Sequence, residues 1–144
     1  MTPGSLRSAR LDLIYVSNAK ASNPDGTGRS GAFQLGWNGK PVGAISLVGS
    51  TPTQANIGFG IEPEFRNLGL ASEAVAAVMR ATPRFGLSML TAQCRSDNAA
   101  SRRLLEKVGF ELASSSPWQA NGGDSSLQYM VYIWVAAPLD RDAL

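Results

Sequence analysis

Histidine is absent from the 144 residues, and cysteine occurs once, at Cys94. Without histidine there is no imidazole base and no Ser-His or Cys-His dyad. Zinc, copper and facial-triad iron sites are excluded with it. A lone thiol forms no internal disulfide and no cysteine-built metal cluster, and its ordinary role is that of a small buried hydrophobe. Long apolar runs are lacking too. Met130–Ala137 is typical of the longest, far below the ~20 residues that span a bilayer. No apolar segment follows Arg7 and Arg10 as a secretory leader would require, so the expected location is cytoplasmic. Charge is sparse, 17% of residues with a formal net charge of +2, which is too little to argue for nucleic acid. Neither a nucleic-acid nor a membrane partner is expected.

With 44% apolar residues, the chain can bury a core without staples. Its length suits one domain, 1–144. Residues 1–5 read as a frayed tail, and Arg10–Val16 alternates as a first strand. The polar stretch Asn18–Gly31 offers little to bury and reads as a long loop. Ala32–Trp37 and Pro41–Val48 flank Asn38-Gly39, the strongest short hairpin signal, because both turn residues accept positive φ. Ala55–Glu62 completes a meander. Gly69–Thr82 shows helical spacing, with Pro83 expected to stop it. Ser88–Arg95 reads as a strand and Asn98–Val108 as a second helix, between an Asn98 cap and a Gly109 cap. Phe110–Ala113, a long loop Ser114–Ser126 and a last strand Leu127–Val135 follow. The expected fold class is α+β: a mixed, mostly antiparallel twisted sheet with two main helices.

Two places could carry chemistry. Arg66–Ser72 joins a strand to a helix through Gly69. A glycine turn at a helix N-terminus offers unpaired N–H groups and the positive end of the helix dipole, which suits phosphate or pyrophosphate. Spacing alone leaves open an ordinary strand-to-helix connection. Neither a dinucleotide fingerprint nor a P-loop is present. The second place is Asn98-x-x-Ser101. Ser101 shares the inward face of Leu104, Leu105 and Val108, while Arg102, Arg103 and Lys107 make a basic flank. A simple cap with a solvated serine is the alternative there.

Together these segments resemble a known family. I-G-F-G-I-E-P-E-F-R-N-L-G-L-A-S-E-A, residues 57–74, is similar to motif A of the GNAT acetyltransferases, whose loop reads R/Q-x-x-G-x-G/A. N-A-A-S-R-R-L-L-E-K-V-G-F, residues 98–110, resembles motif B, especially in the branch of ribosomal-protein N-terminal acetyltransferases. The resemblance runs from about Ala32 to Val135. It implies the GNAT fold and acetyl-CoA as co-substrate. By carry-over, the backbone of Ile61 and Glu62 would run along the pantetheine arm. Arg66, Asn67, Leu68, Gly69, Leu70, Ala71 and Ser72 would cradle the pyrophosphate. Asn98 would bond the pantetheine with Ser101 near the sulfur, and Arg102, Arg103 or Lys107 would meet the adenosine 3′-phosphate.

The implied reaction is direct attack of a primary amine on the thioester, with a small molecule or a peptide N-terminus as acceptor. It needs a proton acceptor, an oxyanion donor and a proton for the thiolate. The resemblance gives the oxyanion to a backbone N–H of the strand ending at Ile61-Glu62. Glu62 is the carboxylate expected as base, through water. The family's motif B tyrosine is replaced by Leu105, so Ser101 is expected as the acid, with Tyr129 and Tyr132 in reserve. The two helices that wall the acceptor site in the family are replaced by Asn18–Gly31. Hence the acceptor site is open, or a second subunit in a homodimer completes it, or acceptor chemistry has been lost. An acyl-CoA-binding module without turnover is the alternative to an enzyme.

Overall fold

The computed structural model describes residues 5–21, 29–117 and 126–136. Eight strands form one sheet: β1 (Leu6–Arg7), β2 (Asp12–Ala21), β3 (Arg29–Trp37), β4 (Lys40–Thr51), β5 (Gln54–Ile61), β6 (Met89–Arg95), β7 (Glu111–Pro117) and β8 (Gln128–Val135). Two helices, α1 (Leu70–Phe85) and α2 (Ala99–Val108), follow β5 and β6. The order across the sheet is β1-β2-β3-β4-β5-β6-β8-β7, and every pairing is antiparallel except β5 with β6. The expected mixed, mostly antiparallel α+β architecture is what forms.

The Asn38-Gly39 hairpin is as its chemistry requires, with φ of 53° and 77° between β3 and β4. Around it the sheet is more extensive than the sequence pattern indicates. The described residues of the expected loop Asn18–Gly31 are strand: β2 runs to Ala21 and β3 begins at Arg29, while residues 22–28 lie outside the described residues. The pairing of Ser17 with Gly31 and of Ala21 with Arg29 explains this. Cross-strand backbone bonds extend a hairpin whatever the hydropathy of its residues. The expected loop Ser114–Ser126 likewise begins as strand. β7 extends to Pro117 as an edge whose seven residues are all exposed, so no burial pattern marks it. Residues 118–125 lie outside the described residues, as do residues 1–4 of the expected tail, while Leu6 pairs with Leu13.

Pro83 does not stop α1, which continues to Phe85. A helical proline orphans the carbonyl four residues back, here that of Met79. The Thr82 hydroxyl, fully buried, donates to that oxygen at 2.8 Å. Gly86, at φ 71°, then closes the helix with its N–H on the Pro83 and Thr82 carbonyls.

Side-chain alternation divides the sheet into two faces. Phe33, Ile45 and Phe59 stand in register across three strands on the inner one. α1 covers it with Ala74, Val75, Ala77, Val78 and Ala81, all buried, and with Phe85, whose ring lies 5.8 Å from that of Phe33 at a tilt of 36°. α2 covers the β6–β8 end, where Leu105 and Tyr132 are buried. The outer face carries the rows Ile14, Gln34, Ala44, Gly60 and Val16, Ala32, Ser46, Gly58. No described helix lies over it, and Ile14, Val16 and Val48 are about half exposed there.

Candidate functional site

The site lies where the sheet splits. β5 and β6 pair only from Gln54 with Met89 to Asn56 with Thr91. The Asn56 amide donates to the Thr91 hydroxyl at 2.9 Å on the last rung. Beyond it the strands diverge, β6 staying paired with β8 and β5 with β4. The Glu62 N–H donates to the Val42 carbonyl at 2.8 Å. Antiparallel alternation then turns the N–H groups of Phe59 and Ile61 to the opposite edge, into the gap left by β6. Gly60 adds room, since a Cβ there would meet nothing within 4 Å. Gly43, beneath it, has no such freedom: a Cβ would lie 2.2 Å from the Gly60 carbonyl.

The gap opens into a cleft of about 760 Å³ between the N-termini of α1 and α2. Among the described residues three cations line it, Arg66, Arg103 and Lys107, and no carboxylate does. The turn into α1 passes through Asn67 at φ 64° and Gly69 at φ 77°. Gly69 is the N-cap and gives no side-chain bond, so the first-turn N–H groups of α1 have no capping acceptor. The Arg66 guanidinium donates to the Ile61 carbonyl at 3.1 Å, tying the turn to the end of β5. The Ser72 hydroxyl donates to the Gly69 carbonyl at 3.1 Å. Across the cleft, Asn98 caps α2 through its carbonyl oxygen, which accepts from the Ser101 N–H at 3.1 Å. Its NH₂ end remains as a donor toward the cleft that Asn98 and Ser101 both line.

Most of the residues singled out in the sequence meet here. Ile61, Arg66, Asn67, Gly69, Leu70, Ala71, Ser72, Asn98, Ser101, Arg103 and Lys107 all line one cleft. Leu68 does not, and is exposed on the outside of the turn. Glu62 is exposed just past the lining; its N–H continues the β4–β5 ladder, and strand alternation assigns its side chain to the outer face that Gly60 shares. Arg102 is drawn inward. Its Nε donates to the Tyr132 hydroxyl at 3.2 Å and its Nη1 to the Ser96 carbonyl at 3.2 Å, which removes it from the basic flank. The bond to Tyr132 is also the main reason its pKa is raised. Tyr132, itself buried, is committed to that half-buried network, and its own hydroxyl donates to Glu106 at 3.3 Å. Tyr129 falls on the outer face opposite Arg95. Burial pushes the Cys94 thiol up against the pull of Arg102, so Cys94 is a poor nucleophile. Leu105 is core.

Sequence reasoning missed the group behind the turn. Arg10 donates through Nε to Glu73 at 2.8 Å and through Nη2 to the Leu68 carbonyl at 3.0 Å. The Arg10 N–H and the Ser8 hydroxyl also bond the Glu73 carboxylate. Burial would raise the Glu73 carboxyl, but these bonds and the Arg10 charge together hold it below its usual value. The available signal was Glu73 itself: a carboxylate in the first turn of an anion-binding helix calls for a nearby cation.

A family profile described as the acetyltransferase (GNAT) domain matches residues 9–111. No curated protein sequence matches the chain. Among solved structures, a GNAT-family acetyltransferase from Bacillus anthracis superposes with a TM-score of 0.74 at 17% identity, over 92% of this chain and 98% of that one. RimL, the ribosomal L7/L12 alpha-N-protein acetyltransferase, solved with coenzyme A, gives 0.67 at 21% identity, over 74% of this chain. The Salmonella typhimurium acetyltransferase that modifies the N-terminal serine of ribosomal L7/L12 gives 0.65 at 20% identity, also over 74%. This chain spans only 62% and 63% of the lengths of those last two. At these identities the likeness establishes the fold, while the profile covers well over half of the chain; the protein belongs to the GNAT acetyltransferase domain family.

Proposed function

We propose that the chain is an acetyl-CoA-dependent N-acetyltransferase acting on a primary amine, with a peptide or protein N-terminus as the acceptor class. One observation carries this reading. The sheet splits beside a helix N-terminus with no side-chain cap, in a cleft whose described residues supply three cations and no carboxylate. Such a cleft fits a pyrophosphate at Arg66–Ser72 and an extended amide arm along β5, while Arg103 and Lys107 supply charge for a further phosphate. Acetyl-CoA would supply the activated thioester carbonyl.

In this reading the Phe59 and Ile61 N–H groups bond the arm, and the Ile61 N–H is the donor for the carbonyl oxygen as charge builds on it. The Asn98 NH₂ holds the arm from the α2 side. Glu62, on the outer face, accepts the proton of the incoming ammonium through water. Ser101, one turn into α2 and lining the cleft, gives a proton to the departing sulfur. The acceptor comes from the outer face, where Gly58, Gly60, Ala32 and Ala44 leave low relief beside the split. A flat surface of small residues, with Glu62 the carboxylate beside it, suits a peptide chain better than a polycation, which would need a cluster of acidic partners. RimL and the Salmonella enzyme, both acting on a protein N-terminus, favour the same acceptor class.

We place the protein in the cytoplasm, in keeping with its cofactor; no described helix is long and apolar enough to cross a membrane. The half-exposed Ile14, Val16 and Val48 favour a homodimer through the outer face. A second reading, an acyl-CoA-binding module without turnover, draws on the buried leucine at 105, which leaves Ser101 alone as the side-chain acid. Calorimetric titration of acetyl-CoA, followed by thiol release with a panel of amines and N-terminal peptides, separates the readings. Micromolar binding with release on a peptide is the expected result. Binding without release on any acceptor favours the module, and no binding at millimolar acetyl-CoA removes both.

A further inference from the structure

We propose that Arg10 is a positioning residue for the cofactor turn: it aims the Gly69 N–H into the cleft and cancels the Glu73 charge at the helix end that must receive an anion. The inference rests on the acetyl-CoA reading above and adds a residue outside both sequence motifs.

The argument begins with the peptide plane between Leu68 and Gly69. In a trans peptide the carbonyl and the following N–H point in opposite directions. Arg10 Nη2 holds the Leu68 carbonyl at 3.0 Å, and neither residue lines the cleft, so that carbonyl is taken to face away from it. The Gly69 N–H therefore points to the side that Gly69 lines. The turn needs such a tie. It holds two left-handed residues, one of them Asn67 rather than glycine, and its N-cap offers no side-chain bond. Arg10 is itself fixed from three directions: by Glu73 at 2.8 Å, by the Leu68 carbonyl, and by the face of Trp37, 6.0 Å from the ring centroid.

The second half concerns charge. Glu73 lies in the first turn of α1, where its carboxylate is attracted to the same dipole that would attract pyrophosphate. Left alone, it would compete with the ligand and repel it. Arg10 and Ser8 hold the carboxylate on the β1–β2 side of the helix and neutralise it there, and Glu73 is not part of the cleft lining. The anion site then presents the α1 N-terminus and three cations with no opposing charge among the described residues.

The test is the dissociation constant of acetyl-CoA by calorimetry for wild type, Arg10→Met, Arg10→Lys and the double variant Arg10→Met/Glu73→Gln, each with its melting temperature. Wild type binding at micromolar concentration secures the acetyl-CoA reading; failure of wild type to bind overturns that reading and this one with it. With wild type binding, Arg10→Met is expected to weaken affinity about tenfold while kcat at saturating acetyl-CoA stays within twofold. The double variant is expected to recover at least threefold, because it removes the uncompensated carboxylate. A purely structural role predicts no recovery. Should Arg10→Met not fold, Arg10→Lys decides: a threefold or greater loss of affinity supports the proposal. Affinity equal to wild type in a folded Arg10 variant, or no recovery in the double variant, overturns it.

Discussion

The two faces of the sheet are built to different rules. On the inner face the strands carry Phe33, Ile45, Ile57, Leu90 and Tyr132, all at or near zero exposure, and two helices close over them. On the outer face the same strands carry alanine, serine, glycine and glutamine in the middle and half-exposed Ile14, Val16 and Val48 toward the side. The inner face sets stability and fixes the helix ends that make the cleft. The outer face contributes little to stability, and its value is access to the split. Stability and acceptor chemistry are therefore assigned to opposite sides of one layer, and substitutions should separate them.

The largest effect is expected at the join between the faces. Gly43→Val would force a side chain against the Gly60 carbonyl, 2.2 Å from the new Cβ, and part β4 from β5. A loss of about 3 kcal/mol is expected, read from the denaturant midpoint. Gly69→Glu comes next. It combines a left-handed backbone, costing about 1–2 kcal/mol for a residue with a Cβ, with an anion in the cradle. The expected outcome is at least a 100-fold loss of acetyl-CoA affinity (about 2.7 kcal/mol) in a protein that still folds. Retention of affinity would place the anion elsewhere on the molecule.

A smaller effect sits behind the turn. The folded-state pKa of Glu73 is depressed below its usual 4.5. Its contribution to stability is therefore complete above that unfolded-state value and is lost as pH falls through the lower folded one. Glu73→Gln should be less stable than wild type at pH 7, and the gap between their acid unfolding curves should close progressively as pH falls below 4.5. A constant gap across that range would show that the ion pair contributes nothing. The smallest effect belongs to the outer face. Ile14→Ser, at a residue 51% exposed, should change stability by under about 0.5 kcal/mol in dilute protein, with a loss that grows with concentration as the proposed homodimer forms through this face. A loss that stays that small at every concentration would remove the homodimer.

Local chemistry was legible and distant chemistry was not. Asn38-Gly39, the Asn98 and Gly109 caps and the Gly69 turn each depend on a few adjacent residues, and all form as their residue types require. Pro83 misled, because the compensating hydroxyl of Thr82 is a three-dimensional fact even though it is the neighbouring residue. The strand ends around 18–21 and 29–31 and the β7 edge misled because backbone pairing leaves no mark in hydropathy. Arg10 could not be assigned to the cradle, since 63 residues separate it from Glu73. The inward turn of Arg102 was equally hidden, as only the fold shows that Tyr132 sits beneath it.

The short β5–β6 seam has a consequence for how the protein breathes. Three rungs are all that join the five strands of one wing to the three strands of the other. Past them the amides of Phe59 and Ile61 belong to no ladder, so in free protein their hydrogens should trade with deuterated solvent far faster than those of Ile45 or Leu47 on the neighbouring strand. An extended ligand arm lying in the gap would act as a temporary ninth strand, and those two amides should become the most strongly slowed in the molecule.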